Sequence, residues 1–357
     1  MGDWNSLGTE RRTRHWPWLV LVAALLVGCG GSAGGESDTL LTEYQQRLAA
    51  SLGLEAPAPR SPDNIGSFPD KRERLLEIPE TRDGMLNVYA LRECHITSLV
   101  AGRNNQLGRV APASQRWLYE LELWRRLDAC WRSEVPETLA ESDRERLARL
   151  TEAKTEQLPR VSWNALFDSS EWAGSFSRAS SPLSPAETRP HDDQLAALAY
   201  LRDTTLHQFD PGWQPDSATL EGHLKTLRTR PFSAELLRTL LLAEQRLEEA
   251  SELLEHSLER SCSRLSGFPD ELHQSPEHAR LEAWLARLEK TARGWLGAID
   301  ELLEAQTEGP EPVADYRRRW LSLEAPEAPL PAFDAARERH ESLREELARR
   351  CRLPRGA

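Results

Sequence analysis

The sequence predicts an all-α protein: a bundle of about eight to ten helices that contains long antiparallel helical hairpins. Apolar residues recur at spacings of three and four along most of the 357-residue chain, which is the period of a helix with one buried face. No alternating strand pattern of useful length interrupts them. No period of 20 to 50 residues recurs either, so a repeat solenoid is not predicted.

The first 28 residues have the composition of a secretory signal peptide. The basic residues Arg11, Arg12 and Arg14 precede an apolar run at 16–27, and small residues follow it. This order is typical of an export signal. The run has about twelve residues, whereas a membrane-spanning helix needs about twenty. We therefore expect residues 1–28 to be removed rather than to span the membrane.

Cys29 follows the apolar run directly and resembles the lipidated cysteine of bacterial lipoproteins. The sequence Leu26-Val27-Gly28-Cys29 matches a lipobox, in which the thiol receives a diacylglyceryl group that anchors the protein. Residues 29–36 are then a flexible tether. Glycine rather than aspartate follows Cys29, which by analogy favours the outer membrane and a body facing the periplasm. The alternative is an ordinary export signal or an uncleaved anchor with an incidental cysteine.

The charge of the chain limits its partners. Residues 1–28 carry three arginines and two carboxylates, so their removal changes the formal charge from −12 to −13. Nucleic-acid binding needs clustered basic charge, and an acidic chain does not adhere broadly to anionic lipid. The expected membrane contact is the lipid on Cys29 alone. The remaining residues, 37–357, are predicted to form a helical periplasmic domain.

The first half of this domain begins with a helix at 37–53, capped by Ser37 or Asp38. A Pro-rich linker at 55–70 follows it. A helix at 87–107 and a second from Pro112 to Trp131 are then joined at Gly108. In such an antiparallel hairpin Cys94 and Cys130 come level, as a disulfide requires. An exported chain with four cysteines after Cys29 favours two disulfides, although buried free thiols remain the alternative.

The second half contains the most regular helices. A helix at 136–158 precedes an irregular segment, 160–190, which is a candidate domain boundary or surface loop. Helices at 192–209 and 217–229 follow it. Two long helices at 233–262 and 275–306 are predicted to pack as an antiparallel pair, and the last helix covers 331–351. Cys351 would then pair with Cys262.

The segment from Cys94 to Cys130 resembles a family of proteobacterial lipoproteins known only as a domain of unknown function, family 3080. A helix with a cysteine, the stretch RNNQLG, a proline-led helix with Leu-Tyr-Glu and a second cysteine carry the resemblance. The lipobox, the helix LTEYQQRLA and the late Cys262 and Cys351 fit the same pattern. Asn105 departs from the serine expected at its position. The resemblance implies an envelope location and no known activity.

Candidate functional residues are few. Arg103, Asn104 and Asn105 are the most unusual polar stretch and are candidates for ligand or partner contact. The alternative is an ordinary helix C-terminus, in which Arg neutralises terminal carbonyls and Asn adopts a left-handed backbone. We predict neither a metal site nor a cofactor, because no HExxH, CxxC or Gly-rich phosphate loop occurs. His191-Asp192-Asp193 is better explained as a helix start.

These observations favour an envelope lipoprotein with a structural or accessory role and a protein partner in the envelope. A periplasmic small-ligand binding protein is one alternative, and an envelope enzyme with dispersed catalytic residues is another. Trp163, Trp172 and Trp213 lie in irregular segments and are the tryptophans that a binding groove would use.

Overall fold

A computed structural model describes residues 35–81, 83–105, 110–190, 192–260 and 276–351. All regular secondary structure in these ranges is helical, which confirms the all-α prediction. Short helices of four to six residues raise the number of helices above the predicted eight to ten. Among the described helices, none is both long and apolar enough to cross a membrane.

The helices are numbered in chain order. The first half contains α1 (Gly35–Ser51), α2 (Lys71–Arg74), α3 (Met85–Ala90), a 3-10 helix (Arg92–Cys94), α4 (Thr97–Asn104), α5 (Ala113–Trp131), α6 (Val135–Thr138) and α7 (Glu141–Phe167). The second half contains α8 (Ser170–Gly174), α9 (Asp192–Leu206), α10 (Ser217–Thr229), α11 (Phe232–Leu258), α12 (Pro276–Ala305), α13 (Glu311–Tyr316), a π-helical turn (Arg317–Leu321) and α14 (Pro329–Arg350).

The main core is built around α11. Leu240, Leu247 and Leu254 recur every seven residues along this helix, with Leu236, Ala243 and Ala250 at the alternate positions, a spacing that predicts a packing seam. All six residues are almost fully buried, which confirms the seam. The predicted partner is wrong. The helix packs chiefly along α14 and α1 and touches α12 only slightly, whereas α12 packs mainly on α9. Both α11 and α12 have wide apolar faces, so their adjacency in sequence does not decide which faces meet.

The predicted helix at 87–107 is broken into three shorter ones. His95 has a left-handed backbone with φ of 57°, which ends the 3-10 helix and redirects the chain into α4. The break lets Leu91, Cys94 and Ile96 all enter a second, smaller core. A continuous helix would have turned part of this set toward solvent, because its residues do not share one helical face.

The described residues 85–105 and 110–131, with the start of α7, carry this second core and are here called the disulfide lobe, although α5 also packs on the main core through Trp117, Leu121 and Trp124. The Cys94–Cys130 bond lies at its centre, with 5.1 Å between the two Cα atoms. The predicted pairing is therefore confirmed, although the helix that carried the argument is broken. Cys351 is also disulfide-bonded, but Cys262 lies outside the described residues, so the second pairing stays a prediction.

The segment 160–190 contributes much of the main core. The helix α7 continues through Pro159 to Phe167 rather than ending at 158. Trp163 stacks on Phe167, with 3.8 Å between the ring centroids, and Trp172 and Phe176 follow them into the core. Trp163 and Trp172 are therefore packing residues, and neither lines an open groove.

The N-terminus of α1 is held inside the body of the protein. Ser37 and Asp38 were predicted as caps, but both are buried within the first turns of the helix. The Ser37 hydroxyl donates a hydrogen bond to the carbonyl of Leu183, and Asp38 accepts one from Arg246. Burial of a polar side chain requires such partners. The first turn of α1 is therefore fixed to the body of the protein by buried polar contacts.

Candidate functional site

An open groove of about 520 Å³ lies between the N-terminal halves of α1 and α12. The wall formed by α1 consists of Glu36, Thr39, Leu40 and Glu43. Their spacing of three, four and seven residues places them on one face of the helix. Both glutamates are exposed, and Leu40 is half-buried. We call this feature the α1/α12 groove.

The opposite wall repeats the same spacing with the opposite charge. It consists of Arg280, Ala283, Trp284 and Arg287 of α12. The arginines are exposed, whereas Trp284 is buried and forms part of the floor beside Leu40. Pro185 and Ala186 contribute to the lining from the loop before α9. Small residues at the centre of each wall, Thr39 and Ala283, leave the space between the charged ends open.

The opposite charges face the same groove without pairing. In the described part of the chain Arg280 and Arg287 form no ion pair, and the same holds for Glu43. Glu36 accepts a hydrogen bond of 2.5 Å from the Ser184 hydroxyl. Two guanidinium groups and two carboxylates therefore remain available to a ligand, and the net charge of the groove is zero.

A buried ionic cluster supports α1 from behind the groove. Arg246 of α11, which is only 2% exposed, donates to Asp38 of α1 over 2.8 Å and pairs with Glu249 at 3.0 Å. Burial opposes the charge of Glu249, but hydrogen bonds from Gln45, Gln245 and Arg60, with the Arg246 charge, outweigh it and lower its pKa. The cluster fixes α1 relative to α11, and hence one wall of the groove.

A second buried polar cluster joins α1 to α14. The Tyr44 hydroxyl lies 2.7 Å from Nε2 of His340, and His340 Nδ1 lies 3.3 Å from Oγ of Ser251. Ser251 is fully buried, and its hydroxyl donates to the Leu247 carbonyl over 2.8 Å. A serine hydroxyl held in this way has no path to a substrate, so the Ser–His contact is structural.

Burial sets the protonation states of this cluster. It is the main reason that the pKa of His340 falls to about 3, with the nearby charge of Arg344 and that of His278 adding to the effect. Burial also raises the pKa of Tyr44 to about 12. Tyr44 therefore stays a neutral donor and His340 a neutral acceptor at Nε2.

An internal cavity of about 20 Å³ lies in the main core between α5, α7, α9 and α10. Its polar lining includes Thr204, Gln306 and Trp117, each with a buried polar atom that has no hydrogen-bond partner in the described structure. About 10–15 Å³ suffices for one water molecule. The cavity suits a structural water and is too small for a substrate.

The candidate residues Arg103, Asn104 and Asn105 lie at the end of α4 in the disulfide lobe. The Arg103 guanidinium lies over the ring of Tyr119, 6.0 Å from its centroid, and Asn104 and Asn105 are exposed. Asn105 ends the helix in an extended conformation, so it does not adopt the left-handed backbone of the alternative explanation. Neither the groove nor the cavity described above includes these three residues.

Some of the other predicted site residues lie in the two cores, and the rest lie outside the described residues. Cys94 and Cys130 form the disulfide, while Cys29 and Cys262 lie outside the described residues. No group of three or more His, Cys, Asp or Glu side chains within the described ranges is arranged to hold a metal ion. The α1/α12 groove was missed by the sequence reasoning, although the seven-residue spacing of Glu36 and Glu43, and of Arg280 and Arg287, marks it.

The disulfide lobe exposes large apolar side chains. One side of α3 presents Met85, Leu86 and Tyr89 to solvent, with Leu86 85% exposed, while Val88 on the other side enters the second core. Val110 and Trp131 of the same lobe are also exposed. Exposed apolar patches on soluble proteins commonly mark interaction surfaces.

Comparison with known proteins identifies a family but no characterised relative. A family model described as a protein of unknown function, DUF3080, matches residues 41–354. The match begins within α1 and ends beyond α14, so it includes every other helix described above. No curated protein and no solved structure matches the chain.

Proposed function

The chain belongs to the DUF3080 family, and we propose that it is an outer-membrane lipoprotein whose helical body serves as an accessory interaction module in the periplasm. The lipid on Cys29 holds the body at the membrane. The disulfide lobe offers an apolar surface to a second envelope protein. The proposal assigns no catalytic step to the chain and no contact with nucleic acid.

The short connection between Cys29 and α1 supports a close membrane tether. Five residues lie between Cys29 and Gly35, the first residue of α1, so six Cα–Cα steps join the two. A fully extended chain of this length reaches about 20 Å. Because Ser37 and Asp38 fix the first turn of α1 to the body through buried hydrogen bonds, the lipid would hold the whole body, and not a mobile arm, next to the bilayer.

The exposed apolar side of α3 is the observation that supports an interaction role. Of the eight large hydrophobic residues exposed in the described structure, five belong to the disulfide lobe: Met85, Leu86, Tyr89, Val110 and Trp131. Aromatic residues and methionine are enriched in the centres of protein interfaces. The disulfide pins the segment that carries them, which lowers the entropy lost when a partner binds.

The tether is tested by Cys29→Ser. After a high-salt wash the lipidated protein should remain with membranes and the variant should move to the soluble periplasmic fraction, because salt screens ionic contacts with headgroups but does not release a lipid anchor. Unchanged membrane fractionation of Cys29→Ser after this wash would exclude the lipoprotein assignment. Intact-mass measurement of the N-terminal peptide provides an independent check for the acyl chains.

The interaction surface is tested by site-specific photo-crosslinking in cells. A photoreactive residue at Leu86 should give a discrete adduct with one envelope protein, and the adduct should be lost in the Cys29→Ser background. The same residue at Leu206, which is 58% exposed on α9, is the matched control and should give no such adduct. Equal adducts at both positions, or none at Leu86, would contradict the proposed surface.

The alternative function, binding of a small ligand, is supported by a different part of the protein from the one that the sequence indicated. It was attached to Arg103, Asn104 and Asn105, which line neither of the described pockets. The α1/α12 groove instead combines a volume of about 520 Å³ with unpaired charges. Small-ligand clefts have volumes of about 300–1,000 Å³, so the groove is the part of the body that suits a ligand.

A further inference from the structure

We infer that the α1/α12 groove binds the phosphoethanolamine headgroup of a membrane phospholipid. Arg280 and Arg287 would hold the phosphate, and Glu36 and Glu43 would hold the ammonium group. The choice of a membrane lipid as the source of this headgroup rests on the tether proposed above. The site itself rests on the geometry of the groove.

The arrangement of charge selects a zwitterionic ligand. One wall of the groove carries two arginines and the other carries two glutamates, and no ion pair crosses between the two walls of the described groove. A purely anionic ligand would meet the carboxylates, and a purely cationic one would meet the guanidinium groups. A ligand with both charges satisfies both walls, because each of its ends faces the opposite sign.

The two arginines are spaced to share one phosphate. They lie seven residues apart on α12, which is about 10.5 Å along the helix axis, with Ala283 between them. Long side chains can converge over the small alanine from both sides. Each guanidinium group can bind two phosphate oxygens at once. Two such groups can therefore hold one phosphate even if no other residue of this wall contacts it.

The glutamates distinguish ethanolamine from choline. A primary ammonium group donates up to three hydrogen bonds, and the carboxylates of Glu36 and Glu43 can accept them. The trimethylammonium group of choline has no N–H to donate. Binding should therefore depend on the N–H groups of the headgroup as well as on its charge.

The position of the groove favours a membrane source. Glu36 and Thr39 belong to the first turns of α1, and α1 begins at most about 20 Å of extended chain from Cys29. The lipid anchor would thus hold this end of the body nearest to the headgroup layer. The buried Trp284 and the half-buried Leu40 give the groove an apolar floor beneath the charged groups.

The test uses the chain from residue 29 onward with Cys29→Ser, which lacks the lipid and keeps every described helix. We would measure co-sedimentation with vesicles of equal parts phosphatidylethanolamine and phosphatidylcholine, and with vesicles of phosphatidylcholine alone. The partition coefficient should be at least fivefold higher on the mixed vesicles. Equal partition on the two compositions would overturn the inference.

Two double variants test which residues of the groove bind each charged group of the headgroup. Arg280→Gln with Arg287→Gln should abolish binding to both kinds of vesicle, and Glu36→Gln with Glu43→Gln should reduce binding on mixed vesicles to the level on phosphatidylcholine. The matched controls are Arg72→Gln with Arg149→Gln, and Glu152→Gln with Glu156→Gln, which remove the same charges from exposed positions elsewhere. Groove variants that behave like their controls would contradict the site. Helicity and melting temperature verify that each variant is folded.

Calorimetric titration with soluble glycerophosphoethanolamine tests the headgroup site separately from the membrane as the source of the headgroup. Binding that requires Arg280 and Glu43, together with a vesicle preference, supports the full inference. Binding of the soluble compound without any vesicle preference supports the zwitterion site and overturns the membrane source. Because the Cys29→Ser test protein carries no lipid, a negative result of the lipidation test on Cys29 does not affect the result on the groove.

Discussion

The hydroxyl of Tyr44 lies 2.7 Å from Nε2 of His340, and both side chains are buried between α1 and α14. The two residues are 296 positions apart in the chain. Tyr44 donates to the neutral imidazole, and Nδ1 of His340 faces the Ser251 hydroxyl. This chain of hydrogen bonds joins the first and last described helices through α11, and in it the neutral His340 accepts at Nε2.

Stability should therefore fall between pH 7 and pH 5 through His340. Its pKa is about 3 in the folded protein and about 6.5 when unfolded. In this window the unfolded chain binds more protons, so acidification favours unfolding by about 2 kcal/mol. Above about pH 6.5 the contribution of the neutral His340 to the free energy of unfolding is complete. Urea unfolding of wild type and His340→Gln at both pH values should show this difference in wild type only. An equal loss in the variant would contradict the assignment.

Loss of Arg246 should be strongly destabilising. Arg246→Met leaves Asp38 buried without its cation and leaves Glu249 with Arg60 alone, and removal of one partner of a buried pair costs about 3–5 kcal/mol. Arg132→Gln removes an exposed i,i+4 pair with Asp128 and should cost less than about 1 kcal/mol. Chemical denaturation measures both variants. Similar values for the two would contradict the structural role of the buried cluster.

Removal of the Cys94–Cys130 bond should loosen the disulfide lobe before the main core. The bond closes a loop with a sequence separation of 36, which corresponds to about 4 kcal/mol in the chain-entropy model. Hydrogen exchange of Cys94→Ser with Cys130→Ser should accelerate first in residues 85–105, because α5 is also held by the main core. Non-reducing peptide mapping of wild type provides the direct control. A uniform change over both cores would show that the lobe is not a separate unit.

The same peptide mapping tests the predicted disulfide between Cys262 and Cys351. A peptide with Cys351 should be linked to one with Cys262 under non-reducing conditions and should separate after reduction. Cys351 is already disulfide-bonded at the end of α14. Recovery of Cys262 as a free thiol would exclude this pair.

Gly309 should not tolerate a side chain. A Cβ at this position would overlap the six-membered ring of Trp163, which is itself stacked on Phe167 in the core. Gly309→Ala should therefore destabilise the protein by about 1–3 kcal/mol through overpacking. Gly294→Ala on α12, where nothing lies within 4 Å, should instead stabilise it by up to about 1 kcal/mol. Thermal unfolding of the two variants compares the sites.

Local periodicity predicted the regular helices well. The bounds of α10 match the predicted 217–229, and those of α12 differ from the prediction by one residue at each end. Capping and breaking signals were less reliable. The helix α7 passes through Pro159, and Ser37 and Asp38 are core residues rather than caps. Tertiary contacts stabilise these positions by more than the local preferences oppose them.

The candidate site was harder to predict than the helices. The pairing of Cys94 with Cys130 was correct, although His95 interrupts the helix that was used to argue it. The residues chosen at 103–105 lie away from both described pockets. The groove needed Glu36 and Glu43 to be matched with Arg280 and Arg287, and more than 230 residues separate the two pairs along the chain.

The sequence by itself determined the all-α class, the positions of the long helices and the buried seam of α11, because helix period and amphipathicity are properties of neighbouring residues. Only the tertiary structure decided that α11 packs on α14 and α1 instead of α12, and that α1 faces α12 across a charged groove. Several helices here carry apolar faces of similar width. The choice among them depends on the shape and polar partners of surfaces distant in the chain, such as Arg246 with Asp38 and Tyr44 with His340.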